Sequence, residues 1–332
     1  MQRSKFFRSK KFLLGFIITV FSLYFSMRGI DWAELGNALT RVDYFYLIPI
    51  FFLLTIAYWI RAHRWQLLLL PMRRVGVGKL FAITMIGFMV NNILPIRLGE
   101  LYRVYAVGEQ HSIGKSASLA TVVVERIFDM LTLLLFLLFV SYVSVLPGWL
   151  SHSSLLIFFG MGGVLLLLLI MMKYPKLYMR SYTIIAYLLP VAMRERLGRA
   201  HLSFIQGLAV LKNKRRLIVI SLLSIVIWLF IAMVNQLVFY AFSSPLSISA
   251  ALSLLVITSI GAILPSAPGY IGTFQLFTVL ALAPYGVEKT EALSISIFLH
   301  ASNYSFITLL GLVYLVKEHL TFSTLENKVE SL

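Results

Sequence analysis

Apolar residues run along this chain in blocks, with neither the strict alternation of a sheet nor the narrow stripe of a soluble helix. Blocks at Phe12–Met27, Tyr44–Ile60, Met130–Leu146, Leu155–Met172, Leu217–Phe242 and Leu293–Val316 approach the roughly 20 apolar residues that cross a bilayer as a helix. Two further pairs of apolar stretches are shorter: Leu80–Pro95 with Leu98–Gln110, and Ala250–Leu264 with Tyr270–Pro284. Each pair is divided by a Pro/Gly break, Pro95-Ile96-Arg97-Leu98-Gly99 in the first and Pro265-Ser266-Ala267-Pro268-Gly269 in the second. Proline ends one limb by removing a backbone donor, and glycine permits the turn. Both pairs are therefore predicted as re-entrant helical hairpins, which are tolerated at membrane depth when buried in protein or lining a wet cavity.

The charged loops set the direction of each crossing. Arg3, Lys5, Arg8, Lys10 and Lys11 precede the first block without an acid, which places the N-terminus in the cytoplasm. The connection Arg28–Asp43 mixes Arg28 and Arg41 with Asp31, Glu34 and Asp43 and reads as a non-cytoplasmic loop, whereas Arg61, Arg64, Arg73, Arg74 and Lys79 read as a cytoplasmic one. Lys173–Arg216 carries ten Lys or Arg against the single Glu195 and is also cytoplasmic. An even number of crossings must separate two cytoplasmic loops, so Leu80–Pro95 has to turn back. Leu197, Leu202, Ile205, Leu208 and Leu211, spaced among basic residues of the long connection, predict an amphipathic helix resting on anionic lipid.

The same parity argument opens the second hairpin to the opposite face. ILPIRLG at 93–99 and ILPSAPG at 263–269 share Ile-Leu-Pro and a glycine four residues after the proline. Interrupted hydrophobic segments in corresponding places of two halves point to a transport site at the midplane. The expected fold is an all-α polytopic membrane protein, with about six full spans and two re-entrant hairpins, eight or more membrane helices in all, in a pseudo-symmetric inverted repeat. It is a single domain over 1–332: a first half of 1–172, the amphipathic connection 173–216 and a second half of 217–332.

Composition narrows the chemistry. Sixty per cent hydrophobic and 13% charged residues, with a mean hydropathy of +0.89, exclude an ordinary soluble domain, where about a quarter of residues are charged. The net charge of +16 sits in short loops beside apolar blocks, so it reports orientation rather than nucleic-acid binding. With no cysteine, thiolate catalysis and Cys-ligated metal are excluded. Asp31, Asp43 and Asp129 are the only aspartates and are far apart, so no D-x-D pair holds Mg²⁺, and no Walker loop is present. No cofactor, metal or catalytic residue is expected.

Against this background, Arg97, Glu100, Arg103, Glu125, Arg126 and Asp129 crowd into 33 positions beside apolar runs. Ionisable groups at membrane depth are costly and normally line a pathway or pair with one another. The second limb of the first hairpin begins with free N–H groups, which with Arg97 form a candidate phosphate cradle. Glu100 lies three residues from both Arg97 and Arg103, and Arg126 three before Asp129, spacings at which neighbours pair on one helix. Two readings stand side by side: charges that lock helices together, or a wet groove for a charged headgroup. Asn235, Gln236, Gln275, His300 and Asn303, in apolar runs, read as hydrogen-bonding glue between helices.

The run N-x-x-L-P-x-R-x-G-E-x-x-R from Asn91 to Arg103, the E-R-x-x-D at Glu125–Asp129 and the later L-P-x-x-P-G-x-x-G at Leu264–Gly272 resemble the lysylphosphatidylglycerol synthase transmembrane region, a flippase-like family. The resemblance extends over most of the chain and maps onto Asn91, Pro95, Arg97, Gly99, Glu100, Arg103, Glu125, Arg126, Asp129, Pro265, Pro268, Gly269 and Gly272; Asn92 joins the hairpin tip by its place in the chain. It implies movement of a lipid across the bilayer. The soluble aminoacyl-transferase domain of two-domain members does not follow Val316, so synthesis of a lysyl-lipid is not implied.

The expected function is a flippase or transporter of a phosphate-containing lipid, a phospholipid or a polyprenyl-phosphate-linked lipid, in the cytoplasmic membrane. Arg97, Arg103 and Arg126 would take the phosphate, while Glu100, Glu125 and Asp129 orient them. The expected partners are a lipid with an anionic headgroup and further copies of the same chain, without nucleic acid. The alternatives are a membrane-embedded transferase with Glu100 or Asp129 as base, and a non-catalytic partner of a cell-envelope lipid enzyme.

Overall fold

The computed structural model describes residues 10–94, 98–143 and 191–320, with helical residues 159, 160, 163, 166, 167 and 170 between them. The described residues form eleven α-helices and no strand: α1 Lys10–Met27, α2 Trp32–Thr40, α3 Leu47–Leu69, α4 Val77–Ile93, α5 Leu98–His111, α6 Lys115–Val143, α7 Val191–Gly207, α8 Lys214–Ala241, α9 Ile248–Gly261, α10 Thr273–Leu282 and α11 Lys289–Lys317. Most of Leu155–Met172 and of Tyr182–Met193 lies outside the described residues.

Among the described residues, three helical stretches are long and apolar enough to cross a membrane: Tyr44–Leu69, Lys214–Ala241 and Lys289–Lys317. Leu14–Met27 and Trp32–Thr40 meet at 88°, a bent pair that adds a fourth where the two are taken as one broken span. Large apolar side chains face outward along these elements, among them Phe52 at 65% and Leu309 at 62% exposure, which is the arrangement that suits a lipid solvent.

Three polar residues cap helix starts. Asp31 accepts from the backbone N–H of Ala33 and Glu34 at 2.9 and 3.0 Å and so caps α2, while Asp43 caps the 3₁₀ turn Tyr44–Tyr46. Asn213 accepts from Arg216 at the start of α8. These oxygens satisfy donors that a helix start leaves orphaned. The connection at 28–43 thus contains a short helix, with Leu35 buried.

Helices α4 and α5 pack on each other across a four-residue link, and α9 and α10 across an eleven-residue one. Their lengths of 17, 14, 14 and 10 residues correspond to about 15–25 Å at 1.5 Å per residue, short of the roughly 30 Å hydrocarbon core. In the first hairpin the limbs touch without side chains between them. A Cβ on Gly99 would lie 1.7 Å from the carbonyl oxygen of Gly87, so only glycine allows this approach. The Asn91 amide closes the turn by accepting from the Gly99 N–H at 2.8 Å. The second limb of the other hairpin starts later than the hydrophobic pattern predicts, at Thr273 instead of Tyr270. Gly269, Tyr270 and Gly272 have φ of 70°, 63° and 88°, which interrupts the helix there.

The predicted amphipathic segment forms α7, which docks on α6: a Cβ on Gly207 would fall 2.2 Å from the Ala117 carbonyl. The 3₁₀ turn Leu208–Lys212 that follows buries Leu208, Val210 and Leu211. Helices α3, α6 and α8 each run through two apolar cores. One core holds Trp65, Leu68 and Ile127 with α4, α5 and Ile220; the other holds Ile50, Leu54, Leu137 and Val238 with α9 and α11. Between them, on all three helices, lie the residues that apolar packing cannot use.

Candidate functional site in a buried guanidinium–carboxylate network

Glu125 and Asp129 stand one turn apart on α6, with exposures of 0 and 3%. A buried carboxylate without partners is costly, and pairing offsets that cost only where geometry is good. Each of these two collects several guanidiniums. Arg103 of α5 meets Glu125 bidentately, Nη1 to Oε1 at 3.2 Å and Nη2 to Oε2 at 2.8 Å. Arg64 of α3 donates to Asp129 Oδ1 at 2.7 Å and to the Ser224 hydroxyl of α8 at 2.6 Å. Arg61, one turn earlier, donates to Asp129 Oδ2 at 3.0 Å. The indole N–H of Trp228 completes Asp129 at 3.0 Å.

Aromatic rings line the same site. The Arg103 guanidinium lies 4.2 Å from the Trp65 ring centre and 5.8 Å from that of Phe88; Arg61 lies 5.8 Å from Phe88 and 5.4 Å from Trp228. Such faces stabilise a desolvated cation without neutralising it. Arg61 and Arg64 are the residues that loop counting misassigns. The helix expected to end at Ile60 continues to Leu69, and both arginines are buried, at 5 and 0% exposure. Their spacing offers the signal: Leu54, Ala57, Arg61, Arg64 and Leu68, all buried, step along one face at three- and four-residue intervals.

Arg126 differs from the other three. Its side chain is 35% exposed, and it gathers Glu100 at 3.3 Å, Glu125 at 3.5 Å and Asp129 at 3.6 Å without a direct hydrogen bond from its Nε or Nη2. Pairing within α5 is replaced by pairing across helices, since Glu100 meets Arg126 and Arg103 meets Glu125. The Arg126–Asp129 pair is present as the spacing predicts. Four guanidiniums against three carboxylates leave one positive charge in excess among the described residues. Pro95 and Arg97 lie outside the described residues.

The two hairpin tips come together beside this network. Asn92 donates to Thr308 Oγ1 at 3.1 Å and to the Tyr304 carbonyl at 3.4 Å, both on α11. Gly269 lies so close to the Asn92 carbonyl that an added Cβ would stand 3.4 Å from it. Helix α1 braces the second tip, with Thr19 Oγ1 accepting from the Ala267 N–H at 2.7 Å. Pro265 is exposed and Pro268 partly so. Of the polar residues expected as glue, Asn235 donates to the Ala251 carbonyl, Gln236 to that of Leu246 and Gln275 bonds His300, whereas Asn303 donates to the Leu299 carbonyl of its own helix.

Comparison with known proteins follows the same outline. A UPF0104 membrane protein of Methanocaldococcus jannaschii is 23% identical over 81% of this chain and 83% of its own length. One of Methanothermobacter thermautotrophicus is 27% identical over 77 and 78%, and one of Pyrococcus horikoshii 23% identical over 93 and 97%. No solved structure matches the chain. The family model described as the lysylphosphatidylglycerol synthase TM region matches residues 12–311, and the chain, a multi-pass helical membrane protein, belongs to that family.

Proposed function

We propose that this protein is a flippase or transporter that carries a phosphate-containing lipid, a phospholipid or a polyprenyl-phosphate-linked one, across the cytoplasmic membrane. The headgroup enters beside the charged network where the hairpin tips meet, and the hydrocarbon chains stay in lipid. The observation that carries this reading is the one positive charge by which the network's guanidiniums exceed its carboxylates among the described residues, in a cluster where Arg126 is the partly exposed guanidinium. Arg61, Arg64 and Arg103 are held by Glu125 and Asp129. Arg126 is held more loosely, at 3.3–3.6 Å from Glu100, Glu125 and Asp129, and a guanidinium recognises phosphate through charge-assisted bonds. Arg97, next to the first tip, is the second group assigned to the phosphate, with Arg103 and the carboxylates holding the frame.

In this reading about six spans surround two opposed re-entrant hairpins related by an inverted repeat, the N-terminus is cytoplasmic, and alternate opening of the halves moves the headgroup. No covalent chemistry is required of the protein.

A second reading draws on the pairing of Arg61, Arg64 and Arg103: the network is only a structural lock in an assembly partner of an envelope enzyme. Translocation of fluorescent phospholipid in vesicles made with pure protein separates the two. Arg126→Gln keeps the buried pairs and should slow translocation about ten- to a hundredfold, the equivalent of one charge-assisted hydrogen bond of about 1.5–3 kcal/mol. Translocation at the parent rate would overturn the assignment, and chemically altered lipid would establish a transferase.

A further inference from the structure

His300 sits on α11 behind the second hairpin tip, and its two ring nitrogens are both engaged. Nε2 lies 2.7 Å from the carbonyl oxygen of Gly269, and Nδ1 lies 2.9 Å from the side-chain nitrogen of Gln275. A carbonyl only accepts, so Nε2 carries the hydrogen. The Gln275 amide is oriented independently, because its oxygen accepts from the Gly272 N–H at 2.7 Å. Its NH₂ group therefore faces Nδ1, which must accept. Every polarity in the chain Gly272, Gln275, His300, Gly269 is thus set by two backbone groups that cannot reverse.

We propose that His300 is a proton-binding site that latches the second hairpin: neutral imidazole holds the tip closed, and protonation releases it. An imidazolium has hydrogens on both nitrogens. Its Nδ1–H would then oppose the amide hydrogens of Gln275. Turning the amide to accept from His300 aims NH₂ at the Gly272 N–H, so one of the two links must break. The released segment is already held in a conformation that L residues seldom adopt, with Tyr270 at φ 63° between Gly269 at 70° and Gly272 at 88°.

The neighbourhood makes this a proton site rather than an ion pair. The Phe274 ring of α10 stacks on His300 at 4.8 Å, and the Tyr304 ring, one turn along α11, lies edge-on at 6.2 Å. Among the described residues the titratable group in ring contact with it is Tyr304 of its own helix, and from α10 it meets Gln275 and Phe274. Among the described residues no carboxylate forms an ion pair with it.

The latch stands on geometry and does not depend on a lipid being carried, so it is tested without transport. The chain has no cysteine, and Leu264, at the tip and 40% exposed, accepts a nitroxide label as Leu264→Cys. Spectra of purified protein are taken stepwise from about pH 8 to about pH 4, reaching well below the ordinary imidazole value near 6.5 because charging a buried ring also costs desolvation. The expected result is a mobile component that grows severalfold at the acid end. His300→Gln, which can donate to Gly269 and accept from Gln275 but cannot titrate, should stay immobile throughout. His300→Ala should be mobile throughout. A parent spectrum that does not change with pH, or an acid response that survives in His300→Gln, overturns the proposal.

Discussion

Arg103 and Glu125 face each other through two hydrogen bonds of 3.2 and 2.8 Å, with neither side chain exposed. The pair joins the second limb of the first hairpin to α6, and Trp65 covers its cationic face at 4.2 Å. In so dry a place the pair is better viewed as a fixed register than as a source of net stability, because desolvation consumes most of the attraction.

Removing one member should therefore cost more than removing both. Arg103→Leu or Glu125→Leu alone should destabilise the protein by about 3–5 kcal/mol, the cost of leaving a buried partner uncompensated. Glu125→Leu should be the worse of the two, since Arg61 at 3.8 Å, Arg64 at 3.6 Å and Arg126 at 3.5 Å also draw on it. The double variant keeps the same net charge and should unfold at a higher temperature than either single. Midpoints of thermal unfolding in detergent check the order; a double variant below both singles would show that the pair is not a unit.

The first hairpin makes a backbone prediction. Gly99→Ala places a methyl on the Gly87 carbonyl, 1.7 Å away, so the limbs must part and the folded yield should collapse. Asn91→Ala only removes the acceptor for the Gly99 N–H, a loss of about 1–3 kcal/mol if that donor stays buried. Monodispersity on gel filtration for the first and melting temperature for the second are the measurements. A well-behaved Gly99→Ala protein would contradict the close approach.

Topology is tested by thiol labelling. Lys115 and Glu288 are both exposed, the first beside α5 and the second beside α11. Opposed hairpins require Lys115→Cys to react from the cytoplasmic side and Glu288→Cys from the other in sealed vesicles, using an impermeant maleimide. Labelling of both from one side would exclude an inverted arrangement.

What was legible in the chain is local. Apolar blocks, Pro/Gly breaks and the Asn91–Gly99 run state their structure through backbone chemistry within a few residues, and the two folded-back helix pairs and the helix ends near Met27, Ala241 and Lys317 follow from them. Charges on one turn likewise announce a site, as Glu125, Arg126 and Asp129 do. Partner choice is not local. Arg61 and Arg64 look like loop cations until α3 is packed on α6 and α8, because position in a loop and position on a buried helix face are written with the same residues. Glu100 and Arg103 have the spacing of a pair, yet each turns to α6, where a buried partner from another helix offers more than a neighbour shared with water. His300 reads alone as glue; only the fold closes it against Gly269 and Gln275. Hydrophobic pattern and backbone breaks therefore determined the elements, and tertiary packing alone decided which charges meet, because burial multiplies electrostatic differences that a sequence cannot place in space.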